Sequence, residues 1–480
     1  MTATRKGVTA VPSTFDGLHI ALSALRANQR ALEVVAHNVA NANTPGFSRQ
    51  QPVLEPARPA LAPVPGASWG TYLGRGVQLA QVRRVRDLFL DAQVRADLQL
   101  LGRWEVRRDA LAKVEAVFNE PSDAGLRTVL DEFWASWQEL SNNPESLAAR
   151  ALVRQKGQAL ADTFRHLHRQ LWDLQADLNR SIAIKVDELN NLARQVASLN
   201  EQISLSAANR QSPNDLLDRR DLLIEQMARL ADLQVQFDEQ GVATVAVGGM
   251  VLVDRFRVAR MEVQANPAAP NQSRVVWDTG MPVNPGGGEL LGYLEAREHI
   301  VPGLMADLDE LAVTLRDQVN ELHREGFGLP LGSSSPHGYD FFDPDATAAN
   351  MGLAYEVRQD VRYIAASTAD GVPGNGENAL KIAGLQRQNI IDQGTIDDFF
   401  RSVIGTIGVM AREATRLSEN QGVLLQQMEH QRQSVTGVSL DEEVTNLIRY
   451  QHAYAAAARV VTTLDEMLRS LIQDTGLVGR

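Results

Sequence analysis

Histidine, the residue best suited to acid–base and metal chemistry near neutral pH, occurs nine times in this 480-residue chain. No His-Glu-x-x-His motif is present. His166 and His168 are two positions apart, so on a helix they point to different sides and cannot share a metal ion. The chain has no cysteine, which excludes disulfides, thiolate metal sites and a cysteine nucleophile. We therefore expect the histidines to lie on solvated helix surfaces.

A glycine-rich stretch at residues 371–376 superficially resembles a phosphate-binding loop. It contains Pro373 and is not followed by lysine, which favours an ordinary surface loop. Neither a Walker A loop nor a Gly-x-Ser-x-Gly nucleophile elbow occurs elsewhere.

A run of carboxylates at helical spacing is the remaining candidate for chemistry. Arginines alternate with these acids, so we expect an ion-paired helix face rather than an acidic site. The sequence therefore predicts no enzyme activity and no catalytic, cofactor or metal site. The acids are Asp215, Asp218, Asp221 and Glu225, and the arginines are Arg219, Arg220 and Arg229.

Composition limits the partners and the compartment. Lys+Arg is 47 and Asp+Glu is 59, so the net charge is 47 − 59 = −12, which argues against nucleic-acid binding. The sequence offers neither the ~20-residue apolar run of a membrane span nor a cleavable signal peptide. We expect a soluble protein without membrane insertion, either cytosolic or exported without a cleaved signal. The length predicts about three domains.

The first predicted helix carries a heptad pattern from Asp16 onwards. Its large apolar residues follow alternating steps of four and three, and we call them the leucine stripe. A loop with Asn41, Asn43, Thr44, Pro45 and Gly46 ends this helix, since proline cannot continue it and Pro-Gly suits a type II turn. The leucine stripe comprises Leu18, Leu22, Leu25, Leu32, Ala36 and Val39.

The last predicted helix, residues 440–473, has the most regular pattern in the chain. Apolar residues recur at steps of three and four without a polar interruption, which is typical of a coiled coil. Tyr450 and Tyr454 belong to this stripe, so we interpret them as core residues rather than as a binding cage. We expect the first and last helices to pair. The C-terminal stripe comprises Leu447, Tyr450, Tyr454, Ala457, Val461, Leu464, Leu468 and Leu471.

Between these ends, residues 51–66 contain five prolines, which favour an extended surface segment rather than a strand in a sheet. Residues 145–209 lack proline and predict a helix of about 90 Å. Two β-branched runs around Gly248-Gly249 predict a hairpin. The fold class is therefore α+β, predominantly α and elongated. The predicted domains are a disordered tail (1–13), a terminal coiled coil (14–50 with 436–480), a long-helix bundle (51–232 with 290–435) and one β-rich outer domain (233–289).

Both ends of the chain resemble the bacterial flagellar rod, hook and hook-associated axial proteins. The N-terminal match includes NVANANTPGFSR, from Asn38 to Arg49. The C-terminal match comprises GVSLDEEV (437–444) and LIRYQHAYAAAARV (447–460). Interior segments are similar to those of the hook-associated members at the hook–filament junction, namely NDLLDRRD (214–221), GELLGYLEAR (288–297), LDELA (308–312), VNELH (319–323) and DFF (340–342).

This resemblance implies a structural protein that is exported unfolded by the flagellar type III apparatus and assembles through its terminal helices. It implies four partners: copies of the chain itself, the hook protein, the second hook–filament junction protein, and a cytosolic export chaperone at the C-terminal helix. Its place would be the extracellular flagellum. Two alternatives remain open, a cytosolic coiled-coil scaffold or signalling bundle, and a wall-degrading enzyme attached to the flagellum.

Overall fold

The computed structural model describes residues 15–474 except 64–69, 121–124, 210, 270, 333 and 392–393. The predicted disordered tail, residues 1–13, lies outside this part of the chain. The secondary structure in chain order is α1 (Asp16–Ala40), β1 (Gln50–Pro56), β2 (Ala60–Pro63), β3 (Gly70–Leu73), β4 (Val77–Arg84), α2 (Leu88–Phe118), α3 (Leu126–Asn142), α4 (Leu147–Ala208), α5 (Asn214–Leu230), β5 (Leu233–Phe237), β6 (Ala243–Val247), β7 (Met250–Asp254), β8 (Arg257–Val258), β9 (Met261–Gln264), β10 (Arg274–Trp277), α6 (Gly288–Glu295), α7 (Val301–Glu325), α8 (Tyr355–Gln359), α9 (Glu377–Gly384), α10 (Ile396–Thr436) and α11 (Leu440–Asp474).

The long predicted helix is confirmed as α4, a single helix of 62 residues and therefore about 90 Å. Ser146 begins it, because its side chain accepts a hydrogen bond from the backbone N–H of Ala149. Helices α2 and α10 pack along each other in opposite directions, from the contact of Leu101 with Leu425 to that of Phe118 with Phe400. These long helices make the protein elongated and predominantly α, as predicted.

The core of the helical body is built around aromatic rings. Phe133 and Trp137 of α3 pack against Phe341 with ring centroids 5.8 and 5.2 Å apart. His323 of α7 is fully buried beside them, so the expectation of a solvated surface is wrong for this histidine. Its Nδ1–H donates to the carbonyl of Tyr339 (2.6 Å), and its Nε2 accepts from the N–H of Ala365 (3.0 Å). Burial lowers the pKa of His323 to about 4, so the imidazole is neutral and has a structural role.

The predicted hairpin is confirmed by β6 and β7, which are joined by Gly248 and Gly249 at φ +55° and +81°. Strands β5, β6, β7 and β8 form one antiparallel sheet in that order, and β9 pairs with β10. Asn200 of α4 fixes the sheet to the long helix: its Nδ2 donates to the carbonyls of Ala243 (2.8 Å) and Arg255 (2.7 Å), and its Oδ1 accepts from the N–H of Ala243. The β module is therefore attached side-on to α4.

The proline-rich stretch is extended as predicted, but the expectation that it avoids strand pairing is wrong. Strand β1 pairs antiparallel with β4, and β2 pairs with β3. Each of these pairs is a ribbon of only two strands, so every strand has one edge that needs no hydrogen-bond partner. Proline, which lacks an amide N–H, is tolerated at such an edge. The β1–β4 ribbon packs along α1, where Leu54 contacts the core shared by the terminal helices. None of the described helices combines the length and apolar character needed to cross a membrane.

Candidate assembly site

The two terminal helices lie side by side, which confirms the predicted pairing of the chain ends. Ala31 and Val35 of α1 and Tyr450 of α11 form the buried centre of the contact, with Leu32 and Leu447 packed around it. The guanidinium of Arg449 lies over the Tyr450 ring, 4.8 Å from its centroid.

The face of α1 that contacts α11 differs from the predicted one by a single residue. Of the leucine stripe, Leu22 and Val39 are 37% and 41% exposed and Ala36 is exposed, whereas Leu18, Leu25 and Leu32 are half-buried. The buried residues precede the predicted ones by one position, a rotation of about 100° on a helix. Small side chains on this face allow the helices to approach closely. We call it the small-residue face, and it comprises Ala21, Asn28, Ala31, Val35 and Asn38.

Most of the C-terminal stripe lies on the less exposed side of α11. Tyr450 and Ala457 are buried, and Leu447, Val461, Leu464 and Leu468 are half-buried. Tyr454 is the exception, because it is 40% exposed and the smaller Ala453 beside it is half-buried. The side chain of Leu471 lies outside the described residues. Leu464 lies close to α1 at Gly17, where an added methyl group would be 3.4 Å from Leu464 Cδ1.

The loop after α1 is a hydrogen-bonded reverse turn. Asn41 donates from its side chain to the carbonyl of His37 and closes the helix, and Thr44 Oγ1 donates to Asn41 Oδ1. Phe47 N–H donates to the carbonyl of Thr44 (3.1 Å) across Pro45 and Gly46, with Gly46 at φ +78°. This geometry confirms the predicted Pro-Gly turn. Residues 43–46 are exposed.

Asn38 closes the base of the same loop. Its Nδ2 donates to the carbonyl of Gln50 (2.8 Å) and its Oδ1 accepts from the N–H of Gln50 (2.9 Å). The Nδ2 also donates to Glu443 of α11 (3.2 Å). One buried amide therefore connects α1, β1 and α11.

The loop leads directly to a buried cluster of charges on α5. Asp218 accepts from Ser48 and from Arg84 Nη1 (2.8 Å), and Arg84 also contacts Asp221 (2.9 Å). Burial alone would raise the pKa of Asp221, but the guanidiniums of Arg220, Arg84 and Arg86 hold it below its ordinary value. The Asp221 carboxylate is therefore ionised and paired.

A second part of the cluster connects α5 to α10. Glu225 of α5 contacts Arg432 of α10 (2.5 Å), and Arg432 lies 3.8 Å from Asp91 of α2. Burial raises the pKa of Glu225, and the positive charge of Arg432 opposes this shift. A polar cleft of about 680 Å³ lies beside these groups and is bounded by the loop at 42–49 and the segment 432–439.

The predicted ion-paired face on α5 is thus correct in kind but wrong in most of its partners. Asp218 and Asp221 pair mainly with arginines from the β4–α2 segment, and Glu225 pairs with α10. Arg220 does contact Asp221 (2.7 Å), whereas Arg229 pairs with Glu105 and Glu289. The described residues contain no group of histidines and acids arranged to hold a metal ion.

Three family models match the chain. The model described as "Flagellar hook-associated protein FlgK helical domain" matches residues 111–342. The model of the flagella basal body rod protein matches residues 18–47, and that of the flagellar basal body rod FlgEFG protein C-terminal region matches residues 429–474. The two terminal matches cover most of α1 and α11.

Curated relatives extend the similarity to nearly the whole chain. Flagellar hook-associated protein 1 of Bacillus subtilis is 35% identical over 98% of this chain and 100% of its own length. The protein of the same name from Escherichia coli is 25% identical over 94% of this chain and 98% of its own length. The solved structure of the flagellar hook junction protein FlgK from Burkholderia pseudomallei has a similar fold, with a TM-score of 0.62 at 16% identity, over 72% of this chain and 100% of that one.

Relatives of this family are structural parts of the flagellum, so the acids and histidines described above belong to a structural protein. These comparisons favour neither a cytosolic scaffold nor a wall-degrading enzyme. The chain belongs to the flagellar hook-associated protein 1 family and is an axial junction protein of the bacterial flagellum.

Proposed function

We propose that this protein forms the junction between hook and filament by assembling with copies of itself through the terminal helix pair. The observation that carries the proposal is apolar surface that remains exposed after the two helices have paired. The leucine stripe contributes Leu22 and Val39 on α1, and the outer side of α11 contributes Val444, Ile448 and Met467, each about half exposed.

Exposed apolar stripes on paired helices favour association, because burying each Å² of apolar surface contributes about 25 cal/mol. Leu22, Ala36 and Val39 of the stripe remain exposed beside the α11 contact, so one neighbour can cover them without opening the pair. Copies that meet through two different surfaces form a ring or a helical tube rather than a closed dimer. The same terminal pair would therefore line the axis of the assembly.

Export in an unfolded state fits the limited core of the terminal pair. Its buried apolar centre consists of Ala31, Val35 and Tyr450, with few large side chains around it. The chain also has no cysteine that could form a disulfide on the way. We infer that the chain passes the export channel unfolded, that the pair forms afterwards, and that an export chaperone covers α11 before export. After export, the hook protein would lie on one side and the second junction protein on the other.

We also propose that the protein acts without catalysis. The acids that could have served as general acids or bases, Asp218, Asp221 and Glu225, already pair with arginines at 2.5 to 2.9 Å. Groups held in this way stabilise the fold and are poorly placed to exchange protons with a substrate.

The experiment is complementation of a strain that lacks this gene with a chain truncated after Ser439. We expect hooks without filaments, because α11 is missing, while circular dichroism of the purified variant retains the helices of residues 87–430. Detection of the truncated chain in the culture medium separates failed assembly from failed export. Filament growth on the truncated chain would contradict the proposal.

A further inference from the structure

The polypeptide passes between the terminal region and the helical body at two places. The first is the connection from β4 to α2, residues 85–87, and the second is the connection from α10 to α11, residues 437–439. Each connection has three residues. Short connectors of this kind permit rotation about a few backbone dihedrals unless side chains fix them.

Asp218 of α5 fixes the first connection, residues 85–87. Its side chain is 7% exposed and accepts from Ser48 N–H (2.9 Å), from Ser48 Oγ (2.8 Å) and from Arg84 Nη1 (2.8 Å). Ser48 follows the loop after α1, and Arg84 is the last residue of β4. One carboxylate of the body therefore holds two segments of the terminal region.

Arg49, which follows Ser48, fixes the second connection, residues 437–439. Its N–H donates to the carbonyl of Thr436 (3.0 Å), and its carbonyl accepts from the N–H of Val85 (2.8 Å). Its guanidinium binds Glu443 (2.7 Å) and Glu442 (2.6 Å) at the start of α11. The Glu443 side chain is 2% exposed, so this ion pair is nearly desolvated.

We propose that Ser48, Arg49 and Asp218 form a latch that holds the terminal helix pair at one angle to the body, and that the latch closes only when α1 and α11 are both in place. Ser48 is positioned by the loop that ends α1, and both acidic partners of Arg49 belong to α11. Any other angle would separate the buried carboxylate of Asp218 from Ser48 and Arg84, which is unfavourable in a low-dielectric site, whereas the Arg49–Glu443 pair lies within the terminal region and positions Arg49.

The latch concerns the single chain, so it is tested before assembly and independently of the proposed function. Spin labels are introduced by Gln29→Cys on α1 and Glu201→Cys on α4, at two exposed sites in a chain without native cysteine. Pulsed dipolar spectroscopy then measures the distribution of distances between the labels. The parent chain is expected to give one narrow distribution.

Asp218→Asn is expected to broaden this distribution at least twofold, and so is removal of residues 440–480, which takes away both acidic partners of Arg49. The control is the same substitution at Asp238, Asp238→Asn, which weakens a more exposed pair with Arg255 (3.0 Å) inside the β module and should leave the distribution narrow. If circular dichroism shows that Asp218→Asn unfolds, Ser48→Ala takes its place, since it removes the hydroxyl and keeps the Asp218–Arg84 pair. Widths equal to the parent in the folded Asp218 or Ser48 variant and in the truncated chain would overturn the proposal.

Discussion

Val35 and Val39 lie one turn apart on α1 and distinguish the small-residue face from the leucine stripe. Val35 is 2% exposed against α11, whereas Val39 is 41% exposed. Replacing each by alanine is the same chemical change in the same helix. Both changes favour the helix, less strongly at Val39 because it lies in the last turn of α1, so this contribution works against the expected difference and cannot create it.

Val35→Ala removes the equivalent of two buried carbons at about 0.8 kcal/mol each, plus a cavity contribution, which gives about 2 kcal/mol. Val39→Ala removes exposed atoms and should cost less than about 0.5 kcal/mol in the single chain. A cost of about 2 kcal/mol corresponds to a change of roughly 30-fold in an opening equilibrium.

Hydrogen exchange of the α1 amides, followed by mass spectrometry under conditions where exchange reports the opening equilibrium, measures this difference. Val35→Ala should accelerate exchange roughly 30-fold, and Val39→Ala should leave it within about twofold of the parent. In an assembly assay we expect Val39→Ala to weaken the association between copies, although it leaves the α1–α11 pair intact. Equal acceleration by the two variants, or a larger effect of Val39→Ala, would refute the assignment of the two faces.

Three further predictions concern the body, the β module and the C-terminal helix. The pKa of His323 is about 4 in the fold and near 6.5 when unfolded, so the unfolded state binds more protons between these pH values. The free energy of unfolding should therefore fall by about 3 kcal/mol between neutral pH and pH 4. Urea unfolding of His323→Gln should not show this decrease. Asn200→Ala should lower the free energy of unfolding of the β module by about 3 kcal/mol, whereas the exposed Asn191→Ala on the same helix should be neutral in urea unfolding. Leu464→Asp should abolish swimming in a complemented deletion strain, because it places a charge in the α1–α11 contact, and the apolar replacement Leu464→Met should preserve it.

Contradictory results for these three are equally specific. The same pH dependence in His323→Gln as in the parent would show that another group controls acid stability. Equal losses of unfolding free energy in Asn200→Ala and Asn191→Ala would show that the buried Asn200 amide does not hold the β module to α4. Normal swimming of Leu464→Asp would show that this leucine is not part of the functional pair.

Local patterns predicted much of the fold because local physics determines it. The uninterrupted α4 follows from the absence of proline, and the β6–β7 hairpin follows from two glycines that adopt positive φ between β-branched runs. The turn at Pro45-Gly46 could also be predicted, because proline and glycine themselves determine its backbone conformation. In each case the determining residues are neighbours in the sequence.

The face of α1 and the latch depend on contacts that no local pattern contains. A heptad pattern identifies the large apolar residues, but the buried residues of α1 are alanine, asparagine and valine, because α1 packs against both the β1–β4 ribbon and α11. Arg84 and Asp218 are 134 positions apart, and Arg49 and Glu443 are 394 apart. Charge spacing on α5 alone therefore assigned most of these acids to the wrong arginines.

The central claim, that this chain joins hook to filament, is tested most directly by electron microscopy of cells that lack its gene. We predict complete hooks without filaments, with filament protein shed into the medium, and restoration of filaments by the parent chain. Normal filaments on cells without the gene would contradict the account.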